Sequence, residues 1–461
     1  MSIAAGDFHT AVIDEDGYVL VCGSNTGGAL GTGDFDAAHA FVRLTSVFHQ
    51  YGAARQVAAA GSRMAIVTDA GDLLMCGSNV NGELGLGDTE DRRVPTRVGL
   101  DHVIMVACAD NDTAALTADG GVYTFGDGSF GKLGHGNEQD HHVPMRVPAS
   151  SFNHEAIVML AVGLRQSVAL SENGHVYTWG ACLSGALGLG EHWDDCSEPQ
   201  QIDPAHFPSA AADRVVFVAA GKDHTAAVTL SGQLYTWGDG RFGKTGHGDD
   251  RRRLVPTRVN LPHVVTVSCA EEHAVAVTQD GRLWVTGLWN EIQLGQFFLQ
   301  ALHTFAPVHG NHIDGARVVM ADSRHRHSVA VTDEGVLLTF GENRSGELGH
   351  NDNRPRDVPT RVALQGVGSP HIGRCRYLPE EHALAFALSV QARLGAGSPA
   401  RVLAGESGLF VMIANFGRAW VAGVEGPQFE GLVRLLGGVT AEERPRYRQA
   451  LGLGRVRAAC L

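Results

Sequence analysis

The chain has 461 residues, a net charge of −14, 59 glycines, 16 prolines and 44% hydrophobic residues. A disordered linker would raise proline along with glycine and could not carry this apolar content, and collagen would need glycine at every third position. No apolar run reaches the ~18 residues of a membrane helix, the start MSIAAGDFHT has no secretory-signal layout, and a body this acidic disfavours direct DNA binding.

The glycines recur. A pattern V-x-V-A-A-G-x-x-H-T-A-A-V-T-x-x-G-x-L-Y-T-W-G-x-x-x-x-G-x-L-G-x-G appears seven times. The glycine closing its aromatic step falls at Gly23, Gly77, Gly126, Gly180, Gly238, Gly287 and Gly341, at intervals of 54, 49, 54, 58, 49 and 54 residues. A period near 50 signals a repeat architecture. In chain order each copy opens on an apolar strand, such as Ile3–Ala5 or Val216–Ala220. A second strand such as His224–Thr229 follows. A two-residue turn of Asp-Gly or Asn-Gly type (Asp16-Gly17, Asp119-Gly120, Asn173-Gly174, Asp280-Gly281) leads to a third, such as Gln233–Trp237. The fourth is the V-P-T-R-V segment at Val94–Val98, Val143–Val147, Val255–Val259 and Val358–Val362, whose proline suits a sheet edge. One such meander cannot bury both faces; seven arranged radially can. The expected fold is all-β, a seven-bladed β-propeller over residues 1–370, with Val358–Leu364 pairing with N-terminal strands to close the ring.

Residues 371–461 change character and hold 11 arginines against 7 glutamates. Pro379–Leu394 reads as a helix, with Ser398–Ala404 and Glu406–Asn415 as further candidates. A degenerate eighth repeat, ARVLAGESGLFVMIANFGRAWVAG, is the alternative. A helical tail would cap the propeller, form a homodimer or recruit a partner. Eight scattered cysteines with no CxxC pair suggest reduced thiols in the cytoplasm or nucleus.

AGKDHTAAVT, GQLYTWG and NGELGLGD resemble the regulator-of-chromosome-condensation repeat family, over roughly residues 1–365. The resemblance implies a seven-bladed propeller and three functions to weigh. The founder promotes nucleotide exchange on a Ran-like small GTPase, using acidic loops, a wedge and a lysine-rich extension. Here repeat one starts at residue 3, and the 58-residue interval, through Glu191–Arg214, is the oversized one that could protrude. Photoreception, as in the plant ultraviolet-B receptor, needs tryptophans in the turn before the histidine, where this chain places Phe8, Arg63, Arg165, Asp223 and Arg326. GDGSFGKLGHG and GDGRFGKTGHG resemble the propellers of HERC-type ubiquitin ligases. Residues 371–461 are too few for a catalytic HECT domain, which implies a binding module or a substrate-recognition subunit for ubiquitination.

Most repeat positions read as frame. Cys22, Cys76, Phe125, Trp179, Trp237, Thr286 and Phe340 precede the closing glycines and should pack between blades. His9, His224, His273 and His327 share one spacing and read as buried imidazoles bonded to turn backbone; Met64, Asp112 and Gln166 break that series. Ring geometry sets these side chains apart, so no metal site is expected. No cofactor, catalytic constellation or phosphate loop is expected either: Gly243-Lys244-Thr245 lies between strands instead of opening a helix.

Function should sit in the loops of one face. The connections between first and second strands share that face with the G-x-x-x-G-x-L-G loops. It carries Asp7, Phe8, Arg63, Asp110, Asn111, Asp112, Arg165, Lys222, Asp223, Glu271, Glu272, Arg324 and Arg326, acidic at repeat three and basic at repeat seven. The expected function is a non-enzymatic protein-interaction scaffold. Guanine-nucleotide exchange and ubiquitin-ligase adaptation are the alternatives.

Overall fold

The computed structural model describes residues 2–191, 194–208, 213–288, 301–308, 315 and 317–364. The helices expected after residue 378 lie outside them. The described strands form seven four-stranded antiparallel meanders, each built from consecutive strands. Blade 1 comprises Ile3–Ala5, His9–Ile13, Val19–Gly23 and Ala38–Arg43. Blade 2 runs from Ala54–Ala60 to Arg92–Arg97, blade 3 from Val103–Cys108 to His141–Arg146, and blade 4 from Ile157–Val162 to Cys196–Gln201. Blade 5 runs from Val215–Ala220 to Arg253–Arg258, blade 6 from Val264–Cys269 to Leu302–Pro307, and blade 7 from Val318–Arg324 to Arg356–Arg361. First strands of neighbouring blades pack side by side, and that of blade 1 meets those of blades 2 and 7. The fold is thus a seven-bladed propeller.

Three local expectations need correction. The hairpins between second and third strands are longer than two residues. In blade 5 the Thr229 N–H donates to the Gln233 carbonyl and the Gly232 N–H to the Thr229 carbonyl, and blades 1 to 7 all share this pattern. That is a type I turn closed by a left-handed glycine (Gly232, φ 81°), whose bulge restores the strand twist. The outer strands begin two residues before the V-P-T-R motif, because the closing glycine pairs with the earlier arginine, as Gly77 does with Arg92. The motif prolines do fall on the outer edge, as their missing N–H requires.

The third correction concerns closure. Arg356–Arg361 pairs with Leu337–Gly341 of its own blade, and blade 1 is built from residues 3–43 alone. No strand is exchanged among the described residues. Val362 and Leu364 instead join Ile3, Val12, Leu20 and Phe41 in one apolar cluster with Val329 and Val331.

The ring closes with the same devices that join other described pairs of blades. The first is a shared carbonyl in the preceding blade's loop. Thr225 Oγ1 and the Trp237 indole N–H both donate to the Ala186 carbonyl, each at 2.9 Å. Ser167 and Trp179 do the same to Lys132, and Thr10 and Cys22 to Glu347 of blade 7. The residues before the closing glycines are therefore fully buried between blades, as expected. The second device is a loop N–H donated to the next outer strand: Gly33 to Arg93, Gly87 to His142, Gly136 to Ser197, Gly190 to Leu254, Gly248 to His303 and Asn351 to His39.

The oversized interval does not protrude in its described part. It supplies the outer strand Cys196–Gln201, and Phe207 packs edge-on against Tyr235 and Trp237. A short helix missed in the sequence, Thr45–Tyr51, links blades 1 and 2 and stacks Phe48 on Tyr18 at 4.1 Å.

Candidate interaction face

The first residue of each second strand pairs with a closing glycine: His9, Arg63, Asp112, Gln166, His224, His273 and His327. Blade 2 therefore puts Arg63 in the histidine position, not Met64, and Ser62 in the turn before it. Several of these side chains reach the first turn of the next blade. The Arg63 guanidinium donates to the Ala109, Asp110 and Asp112 carbonyls. Gln166 Nε2 donates to the Gly221 and His224 carbonyls. His327 Nε2 lies 3.0 Å from Thr10 Oγ1 of blade 1. Burial holds the imidazoles neutral, lowering His9 and His273 to about 4 and His327 to about 3. No group of three or more metal-ligating side chains occurs among the described residues.

Of the thirteen residues expected on the loop face, Arg63, Asp112 and Asp223 are buried. Arg63 is buried against its carbonyls, and Asp112 is buried 3.2 Å from Lys132. Arg63 and Asp112 both open a second strand opposite its closing glycine, one step inside the turn. Burial raises the Asp112 carboxyl, with Lys132 and Arg63 opposing. Asp7 and Phe8 lie in the blade 1 turn, and Phe8 packs 4.8 Å from the His325 ring.

The acidic and basic sectors expected at repeats three and seven are not separate. Arg324 of blade 7 reaches across the inner end of the face. Its Nη2 lies 2.5 Å from Asp110 Oδ1 of blade 3, and its Nε lies 3.1 Å from Asp7 Oδ1 of blade 1. Burial pulls against the guanidinium, but Asp110 and Asp7 hold its pKa above the ordinary arginine value. Two residues earlier, Asp322 accepts the Ala5 N–H at 2.9 Å and the Ser268 hydroxyl at 2.7 Å. Blade 7 thus ties itself to blades 6, 1 and 3 by two side chains of its innermost strand.

The other face residues are paired as well. Lys222 lies 3.4 Å from Glu271, Arg165 lies 3.9 Å from Asp223, and Arg326 lies 2.9 Å from Glu342. Glu272 holds the fully buried Lys244 at 2.8 Å, with Asp239 at 3.0 Å. Asn111 stays exposed. Asp110, Lys222, Glu271 and Arg324 come together with Gly163, Gly221 and Cys269 round a depression of about 270 Å³, counted to its open mouth. Sequence reasoning missed Lys132 and Lys244 as the buried ion-pair partners of residues at this face. Their signal was the repeated D-G-x-F-G-K, in which the aspartate and lysine pair at 2.8 Å in blade 3.

Chemically the face offers paired charges, backbone turns and a few apolar tips. The described cysteines are buried thiols, and burial pushes Cys76 and Cys269 up to about 12. No helix among the described residues is long and apolar enough to cross a membrane.

Comparison with known proteins agrees with the blade count. The RCC1-like domain matches residues 97–375, and regulator of chromosome condensation (RCC1) repeats match residues 70–116 and 2–29. The Arabidopsis thaliana ultraviolet-B receptor UVR8 is 30% identical over 380 residues, covering 81% of this chain and 72% of the receptor. Mouse HERC4, a probable E3 ubiquitin-protein ligase, is 34% identical over 363 residues, covering 77% of this chain but only 33% of that protein. Among solved structures, Saccharomyces cerevisiae Prp20p superposes with a TM-score of 0.65 at 20% identity, over 77% of this chain and 88% of Prp20p. Human WBSCR16 gives 0.66 at 21% identity, over 76% of this chain and 95% of its own. The chain belongs to the RCC1-like domain family.

Proposed function

We propose that this propeller is a protein-interaction scaffold that presents the loop face to a protein partner. The observation carrying this reading is the convergence of Asp110, Lys222, Glu271 and Arg324, from four different blades, on one shallow depression. Arg324 and Asp110 also tie blades 7 and 3 together, whereas Lys222 and Glu271 are paired with each other and partly exposed.

Two narrower readings have support in relatives. Prp20p is described as binding Gsp1p and histones, and HERC4 is named a probable ubiquitin ligase. Exchange on a small GTPase would suit the acidic first turns Asp7, Asp110 and Glu271. Substrate recognition for ubiquitination would suit the D-G-x-F-G-K blades. Photoreception suits the face poorly. Its turn residues are Phe8, Ser62, Asn111, Arg165, Asp223, Glu272 and Arg326, while Trp179 and Trp237 are buried between blades.

Release of labelled nucleotide from a panel of small GTPases separates the scaffold from the exchange factor. The scaffold predicts release at the spontaneous rate; acceleration at substoichiometric amounts of this protein contradicts it. For the adaptor reading, ubiquitin-ligase components should co-purify with the full chain and be lost when residues 371–461 are deleted. Retention without those residues defeats a docking role for them.

A further inference from the structure

We propose that the outer rim of blades 1 to 3 docks a basic segment of a partner protein that carries apolar side chains. This surface lies on the outer edge of the ring, apart from the depression, and adds to the loop-face reading without resting on it.

Among the described residues, the exposed large apolar side chains of the outer strands all belong to these blades. They are Val42 of blade 1 (42% exposed), Val94 of blade 2 (52%), and Val143 (54%) and Met145 (42%) of blade 3. Phe35, in the loop before the first of these strands, is 57% exposed. Val94 and Val143 belong to the repeat, but Val42, Met145 and Phe35 do not. Val42 and Met145 pair with third strands at the position that Thr96, Thr257 and Thr360 hold in other blades. Each of those threonines donates its hydroxyl to the valine carbonyl two residues back. Phe35 stands where blades 2, 3, 5 and 7 have Thr89, Glu138, Asp250 and Asn353. The frame is thus built with polar residues at both positions elsewhere in the ring. Apolar side chains kept in water at such places mark an interaction surface.

The surface runs from blade to blade. The Gly33 N–H donates to the Arg93 carbonyl at 2.9 Å, and the Gly87 N–H to the His142 carbonyl at 2.8 Å. Each loop is thereby laid against the next outer strand. A Cβ on Gly33 would lie 3.8 Å from Val94, and one on Gly87 3.6 Å from Val143. The Arg93 guanidinium sits over the Phe35 ring, 5.2 Å from its centre. Pro95 and Pro144 take donors out of the strand edge, so a partner is held by side chains and not as a fifth strand.

Charge chooses the partner. Asp34, Asp36, Asp91, Glu138 and Asp140 are exposed at the loop ends of these strands. Arg92 is taken by Asp88, and Arg43, Arg97 and Arg146, at the far ends, by Asp14, Asp72 and Asp119. Among the described residues of the rim, that leaves Arg93 to offset the five carboxylates. The outer loop of blade 5 differs, setting Arg251, Arg252 and Arg253 against Asp249 and Asp250. Basic side chains beside aliphatic or aromatic ones therefore suit the rim of blades 1 to 3, whereas a phosphate chain is repelled there.

The test pans a phage-displayed random dodecamer library against the full chain and measures the strongest peptide by fluorescence anisotropy. Peptides with Arg or Lys beside Leu, Ile, Phe or Trp should be enriched. Phe35→Asn/Met145→Thr, which copies blades 7 and 2, and Asp36→Lys/Glu138→Lys should each weaken binding about tenfold or more. Asp250→Lys/Asp357→Lys, an equal charge change on blades 5 and 7, should weaken it by less than about threefold. An equal loss there reduces the effect to net charge and overturns the proposal. The Phe35→Asn/Met145→Thr chain should keep the thermal midpoint of the parent; a marked fall makes these side chains structural and overturns the proposal. Peptides that survive the rim variants but are lost with Glu271→Lys overturn the rim and support the loop face. Peptides indifferent to every variant overturn the rim and leave the loop face untouched. Enrichment of acidic peptides, or no enrichment, overturns the basic-segment assignment. So does a parent chain that sediments as a dimer and becomes monomeric with Phe35→Asn/Met145→Thr, which puts a second copy on the surface.

Discussion

In blades 1, 2 and 7 an asparagine holds the loop between the third and fourth strands; in blades 3 and 5 a lysine does. Asn343 accepts the Leu348 N–H at 3.0 Å and donates to the Asp352 carbonyl and carboxylate. Asn25 and Asn79 make the same bonds to their own loops. Gly128 and Gly240 replace the asparagine in blades 3 and 5, and buried Lys132 and Lys244 take over the clamping. The asparagine clamp is neutral and stays inside one loop. The lysine clamp is ionic and ties the loop to first turns, Asp112 for Lys132 and Glu272 of the next blade for Lys244. The two chemistries accompany different tips: Phe130 and Phe242 take up positive φ in the lysine blades, whereas Asn81 and Ser345 at the same position of blades 2 and 7 do not. Lys132 couples loop and turn within blade 3, and Lys244 couples its loop to the first turn of blade 6.

The largest effect should come from breaking an ionic clamp. Lys244→Met removes the buried ammonium from Glu272 and leaves Asp239 to Arg241 alone, and should cost about 3–5 kcal/mol in urea unfolding. Asn343→Ala leaves the buried Leu348 N–H without its acceptor and should cost less, about 1–3 kcal/mol. Equal losses would erase the distinction between the two clamps.

Acid should widen the contrast. Burial, and then the neighbouring Lys244, pushes His224 well below 6.5. The unfolded chain therefore takes up this proton first, and the stability carried by neutral His224 is complete above pH 6.5 and lost as pH falls. His224→Gln, which copies Gln166 of blade 4, should flatten the fall of unfolding free energy below pH 6.5 by up to one proton, ~1.4 kcal/mol per pH unit. An unchanged slope would mean that His224 is protonated in the native state. The smallest effect is expected at the tip: Phe242→Gly should shift stability by no more than about 1 kcal/mol, upward.

Much of the frame was legible in the chain. The period near 50, the turn glycines and the V-P-T-R motif gave blades, edges and ring, because each repeats a backbone requirement. The closure was not legible, since Val358–Leu364 is as good an edge strand for blade 7 as for blade 1. What decides it is distant: the Asn351 N–H on His39 and the Glu347 carbonyl shared by Thr10 and Cys22. Within the face, collecting the charged turn residues found Asp110, Lys222, Glu271 and Arg324. It missed that Arg324 neutralises Asp110 across the ring, a pairing that only the closed circle creates. It also placed Arg63 and Asp112 outside, because a shift of one residue moves a side chain from turn to interior. The lysine clamp was hidden in a motif whose chemistry depends on the neighbouring blade.

Docking of partners on the loop face is open to direct measurement. Quantitative affinity capture should compare the parent chain with two charge-reversed forms, Arg165→Glu/Arg241→Glu on that face and Glu15→Lys/Glu334→Lys on the opposite one. Partners held by the parent and by the opposite-face form should be lost from the loop-face form. Partners lost from the opposite-face form and kept by the loop-face form would contradict docking on the loop face.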